Sequence, residues 1–131
     1  MMNTKFITIV LLSFVLITNA CVKDEIDNDK PNIEIIRPKN HDEYKLGDTI
    51  FMKIKFTDNK ELKSVSLQLM AEGALTPEIE IKKELSQNVF EIDTFFIIWR
   101  DDPFDIDLSL EAFDKSGNIR SKLQHSHCNG N

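Results

Sequence analysis

Apolar residues in this chain recur at every second position, and that constrains the fold more than any other feature. Ile50, Met52, Ile54 and Phe56 fall on one side while Lys53, Lys55 and Thr57 fall on the other. Val65, Leu67 and Leu69 repeat the pattern against Ser64, Ser66 and Gln68. Ile106, Leu108, Leu110 and Ala112 do so against Asp105, Asp107, Ser109 and Glu111. A period of two belongs to strands with one face buried. Shorter alternations occur at Ile33–Ile35, Ile79–Ile81, Phe90–Phe96 and Ile119–Leu123. Turn signals separate them, at Pro38, Asp58-Asn59-Lys60, Gly73 to Pro77, Asp101-Asp102-Pro103 and Asp114 to Asn118. About seven short strands at this spacing predict an all-β, antiparallel two-sheet sandwich over residues 32–124. His125 to Asn131 lacks the alternation and is expected to be a disordered tail.

The N-terminal stretch obeys a different rule. Phe6 to Ile17 is apolar apart from Thr8 and Ser13, follows Lys5, and leads into Asn19-Ala20-Cys21. The run is too short for a bilayer span of about 20 residues and has the layout of a targeting segment. Ala20-Cys21 resembles the lipobox of bacterial lipoproteins. That resemblance implies a signal peptide over 1–20, a lipid thioether on Cys21 and a membrane anchor. Lys23-Asp24-Glu25 resembles the export signal of Bacteroidota surface lipoproteins, which implies the outer face of the outer membrane. Several acyl chains make a lasting anchor at about 0.8 kcal/mol per buried CH₂. Residues 21–31 then form an acidic linker, whose last ten residues reach at most about 35 Å.

A second resemblance runs through the body of the chain. Pro31-Asn32-Ile33-Glu34-Ile35, Gly47-Asp48-Thr49-Ile50, Asp58-Asn59 with Leu62 to Val65, and Leu110 to Asp114 with Gly117-Asn118 follow the order seen in bacterial immunoglobulin-like domains. The chain also resembles domain-of-unknown-function families of Bacteroidota lipoproteins. Both imply an immunoglobulin-like sandwich and neither implies an activity.

The composition narrows the partners. There are 22 acidic residues against 16 basic ones. Nucleic-acid binding rests on Lys and Arg neutralising phosphates, so nucleic acid is not an expected partner. No Gly-x-Ser-x-Gly, His-Glu-x-x-His or glycine-rich phosphate loop is present, and no catalysis is expected. Calcium is the one cofactor the residues suggest. In a sandwich of this topology Asp58 and Asn59 share a pole with Asp114 and Asn118, which supply the oxygen ligands a hard cation takes. The alternative is that Asp58 and Asp114 only cap their own turns. Asp101 and Asp102 belong to the opposite pole. His125-Ser126-His127-Cys128 carries softer ligands suited to zinc, copper or nickel, but on a tail expected to be disordered they make at best an adventitious site. Phe95, Ile97 and Trp99 give one strand more apolar surface than a solvated face needs. They mark either a core that takes both faces or a surface for a protein or glycan. The expected function is a surface-anchored binding or accessory module, against a periplasm-facing structural subunit without a ligand.

Overall fold

The computed structural model describes residues 26–130. The expectations for the signal peptide, Cys21 and Lys23-Asp24-Glu25 lie outside the described residues. Six strands follow in order: β1 (Asn32–Arg37), β2 (Glu43–Tyr44), β3 (Thr49–Ala71), β4 (Ile79–Ile97), β5 (Phe104–Asp114) and β6 (Ile119–Cys128). They join in one curled sheet of order β1-β3-β5-β6-β2, with β4 paired to β3. All pairings are antiparallel except the short parallel contact of β2 with β6.

One expected turn is absent, and two alternations read as separate strands are one. Asp58-Asn59-Lys60 lies inside β3, and the alternations at Ile79–Ile81 and Phe90–Phe96 belong to one strand, β4. The two long strands form a hairpin from Thr49↔Ile97 to Leu69↔Ile79. The first half of β3 pairs with β1, and the second half with β5. Polar residues in mid-strand look like a turn because a bulge and a turn both release side chains to solvent. Here pairing with β4 is interrupted after Thr57 and resumes at Leu62 and Ser64 in an irregular register. Lys63 is the extra residue against β5, where Leu62 faces Asp114 and Ser64 faces Phe113. Buried positions accordingly switch parity. Ile50, Met52, Ile54, Phe56 and Leu62 point inward before Lys63, and Val65, Leu67, Leu69 and Ala71 after it.

The ends of β3 return to one another. Gly47 and Asp48 exchange backbone hydrogen bonds with Ile98, and Arg100 donates to the Glu72 carbonyl at 3.3 Å. The strand thus folds back at its bulged middle, and both halves bury one continuous core, to which β5 adds Phe104, Ile106, Leu108, Leu110 and Ala112. The middle of β3 forms one pole of the domain and its ends form the other.

The C-terminal expectation is also corrected. β6 continues through His125 to Cys128, and its inward face is Gln124, Ser126 and Cys128, while Ile119 and Leu123 are exposed. Backbone pairing sets this register, from Phe113↔Ile119 to Phe104↔Cys128. Gln124 meets its burial by donating to the Pro38 carbonyl at 2.9 Å. A strand held by its ladder and by polar contacts leaves no apolar period to read.

Candidate functional site

At the bulged pole, three carboxylates from distant parts of the chain converge. Asp27, Asp58 and Asp114 each place an oxygen within 4.8 Å of the others. Asp58 comes from the β3 irregularity and Asp114 from the last position of β5. Asp27 precedes β1 and belongs to the segment expected to be linker.

Each side chain has a local reason to be there. One Asp58 oxygen, Oδ2, accepts from the Lys60 and Glu61 amides at 2.9 and 2.8 Å, which holds the bulge in shape. Asp114 is 1% exposed and accepts from the Asn118 amide and side chain, both at 2.7 Å, closing the β5–β6 turn. Turn capping by Asp58 and Asp114 is therefore present, and it coexists with their convergence. Asp27 Oδ1 accepts from the Asn59 side chain and the Asp29 amide, both at 3.1 Å. These hydrogen bonds, the Asn59 contribution first, hold the Asp27 carboxyl below the usual carboxylate range; burial works against them and the nearby Lys60 charge adds to them.

Two oxygens remain over. Asp27 Oδ2 and Asp58 Oδ1 are buried and have no hydrogen-bond partner among the described residues. Asp27 is 7% exposed, so its spare oxygen is shielded from water and left without a donor. Oxygen ligands of this kind, with Asn59 and Asn118 alongside, suit a hard cation. The four residues named from sequence, Asp58, Asn59, Asp114 and Asn118, do share one pole.

Asp27 is what sequence reasoning missed. The preceding segment is docked on the domain: Asn118 donates to the Asp27 and Asp29 carbonyls at 3.0 and 3.1 Å, and Arg120 donates to Pro31 at 3.2 Å. No apolar period marks that docking, because polar groups make it.

The remaining candidates separate. Asp102 pairs with Arg100, whose guanidinium lies 4.5 Å from the Phe104 ring centroid, at the other pole. The soft-ligand cluster is dismantled by the strand itself. Alternation along β6 turns His125 and His127 outward and Ser126 and Cys128 inward. The two histidines meet Asp107 and Asp105, their direct cross-strand partners on β5.

Phe95, Ile97 and Trp99 are 57, 52 and 63% exposed, so the covered alternative is removed. Phe51, cross-strand partner of Phe95, joins them at 53% exposed, with Ile36 also exposed nearby on β1. Phe51 was legible, since an odd position between Ile50 and Met52 must point outward. The strip lies toward the ends of β3 and β4, away from the three carboxylates.

A family model described as Domain of unknown function (DUF4625) matches residues 19–92, more than half of the chain. The chain belongs to the DUF4625 family. The matched DUF4625 region holds the docked segment and β1 to most of β4, with Asp27 and Asp58; Asp114 follows it. No curated protein matches the sequence. Among solved structures, the sporulation control protein Spo0M from Bacillus subtilis is 11% identical with a TM-score of 0.49, over 78% of this chain and 49% of that one. The DUF4625 chain thus spans about half the length of that protein. A superoxide reductase (neelaredoxin) from Ignicoccus hospitalis is 9% identical with a TM-score of 0.50, covering 76% of this chain and 79% of its own. A chain of the human complex of zinc 2-glycoprotein with prolactin inducible protein is 12% identical with a TM-score of 0.50, over 83% of this chain and all of that one. At such identities the likeness concerns the β fold alone.

Proposed function

We propose that this DUF4625 chain is a lipid-anchored, non-catalytic binding module on the outer surface of the outer membrane, and that its partner is a protein. The Ala20-Cys21 junction and the Lys23-Asp24-Glu25 stretch support the anchor and its destination. An immunoglobulin-like sandwich is supported by the pairing of β1 with the first half of β3 and of β5 and β6 with the second half.

One observation carries the binding reading. The apolar strip of Phe95, Ile97 and Trp99, with Phe51 beside it on β3, lies along an edge strand, because among the described residues β4 pairs only with β3. Natural edges are usually blunted by charge. The first half of β4 follows that rule, with exposed Glu80, Lys82, Lys83 and Glu84. Exposed Glu91 and Asp93 extend it into the second half, but the stretch from Phe95 to Trp99 carries no charge and couples unpaired backbone groups to aromatic anchors. Mixed aliphatic and aromatic groups on an open edge suit a polypeptide better than a sugar, which wants polar groups around a stacking ring.

Protease treatment of intact cells tests the location: loss of the domain agrees with an outward face, and its survival until lysis favours the periplasmic structural alternative. A photo-crosslinker placed at Trp99 tests the surface. Protein adducts that are absent when it is placed at exposed Leu123 support the reading. Identical adducts from both positions contradict it, and glycan adducts from Trp99 alone would replace the protein partner by a sugar.

A further inference from the structure

We propose that Asp27, Asp58 and Asp114 bind one calcium ion, and that the ion latches the N-terminal segment to the bulged pole of the domain. The convergence of three carboxylates is the first observation. The second is independent of it: Asp27 is more than nine-tenths buried and keeps an oxygen, Oδ2, that no donor meets among the described residues. Buried polar atoms are nearly always satisfied, and a carboxylate left unmatched costs more than a neutral group. Asp58 Oδ1 repeats the arrangement from another element. In both residues one oxygen shapes the backbone and the other is left over. That division of labour is how a chain builds a cation site before the cation arrives.

The chemistry selects the ion. All the ligands are oxygens, which excludes the soft metals that seek thiolate or imidazole. Ca–O distances of about 2.3–2.6 Å allow one ion to bridge oxygens at this spacing. Lys60 contributes one positive charge near Asp27, against three carboxylates. Calcium accepts irregular coordination and fills its remaining positions with carbonyls or water, whereas magnesium demands a near-ideal octahedron.

The latch follows from where the ligands originate. Asp58 and Asp114 are already neighbours through the β3–β5 ladder, where Leu62 faces Asp114. Asp27 is not part of any ladder. An ion shared among the three therefore ties the segment before β1 to two strands of the core. It sets the direction in which the N-terminal segment leaves the domain, in addition to the hydrogen bonds from Asn59, Asn118 and Arg120.

The test uses the full chain, purified in detergent and stripped with chelator. Calcium titration by calorimetry should give one site, with a Kd in the range of extracellular modules, about 10⁻⁴–10⁻³ M. Saturating calcium should raise Tm by about 5 °C and slow proteolytic cleavage before Asn32. Asp27→Asn should weaken binding at least tenfold while Asp101→Asn, at the other pole, leaves it unchanged. The wild-type titration decides the matter even if a variant misfolds. No heat of binding at 5 mM calcium with no Tm shift overturns the site. An equal response to magnesium overturns the choice of ion, and calcium binding unchanged in Asp27→Asn overturns the latch.

Discussion

At the scale of single residues, the inward face of β6 makes the sharpest case. Cys128 is 1% exposed, and burial, followed by the Asp105 charge, pushes its thiol up from 9.0 to about 11. Burial and then the Asp42 charge push the neighbouring Tyr44 hydroxyl up from 10.0 to about 12. Both groups keep their protons in the folded protein and release them more readily when unfolded. The stability they contribute is complete below about pH 9 and is lost as pH rises through their folded values. Thermal melts should therefore be level from pH 7 to 8.5 and fall between pH 9 and 11, with a flatter profile in a Tyr44→Phe, Cys128→Ala double variant. The native thiol should resist alkylation at pH 8, because only the thiolate reacts. After denaturation one thiol per chain should react if Cys21 carries lipid, and two if it does not. Asp114→Ala should cost about 1–3 kcal/mol, read from denaturant midpoints, since it removes the buried acceptor of two Asn118 hydrogen bonds. Much at this scale was legible: the period-two positions name most of the core, though not Leu62, Ile98, Phe104 or Cys128, and Asp58, Asn59, Asp114 and Asn118 were placed at one pole by strand order. Gln124 and Asp27 were not, because each is buried through hydrogen bonds, and Ser126 was not, because the ladder register carries it inward; neither leaves a hydropathy signal.

At the scale of elements, the informative feature is β3. Its two halves read correctly as strands, yet the link between them read as a turn. Asp58-Asn59-Lys60 has turn composition, and only the partner strands reveal that pairing continues past it. Lys63 has the mechanical role here, since one extra residue against β5 flips every later side chain to the opposite face. Deleting Lys63 should therefore prevent folding or lower Tm by more than about 15 °C, whereas Lys63→Ala, on an exposed side chain, should change stability by less than about 0.5 kcal/mol. Circular dichroism melts of the two variants check the contrast. β6 supplies the complementary case. Ending the chain at Gln124 removes buried Ser126 and Cys128. It also removes the backbone contacts of His41 with His125, of Asp42 with His127 and of Tyr44 with Asn129. A loss of about 10 °C or more in Tm is expected, where a disordered tail would leave Tm unchanged.

At the scale of the whole molecule, the fold sets the carboxylate cluster and the apolar strip at opposite poles. Because β3 doubles back, its bulged middle and the β5–β6 turn form one pole, and the segment from Asp27 to Pro31 docks there. The ends of β3 and β4 form the other, where Phe51, Phe95, Ile97 and Trp99 stand exposed. A chain anchored through its N-terminus would thus hold its acidic pole toward the membrane and present the apolar strip away from it. Replacing Trp99 by Ala should leave Tm within about 2 °C, since the side chain is largely solvated, and should affect only partner capture. The all-β class was legible from alternation alone. The continuity of the hairpin was not, because it depends on residues far apart in sequence. Hydrogen–deuterium exchange of the full chain, with and without 5 mM calcium, measures the central division directly. Added protection at residues 27–29, 58–61 and 114–118, with none at 95–99, is the result expected. Unchanged exchange at the acidic pole, or protection centred on the apolar strip, would contradict it.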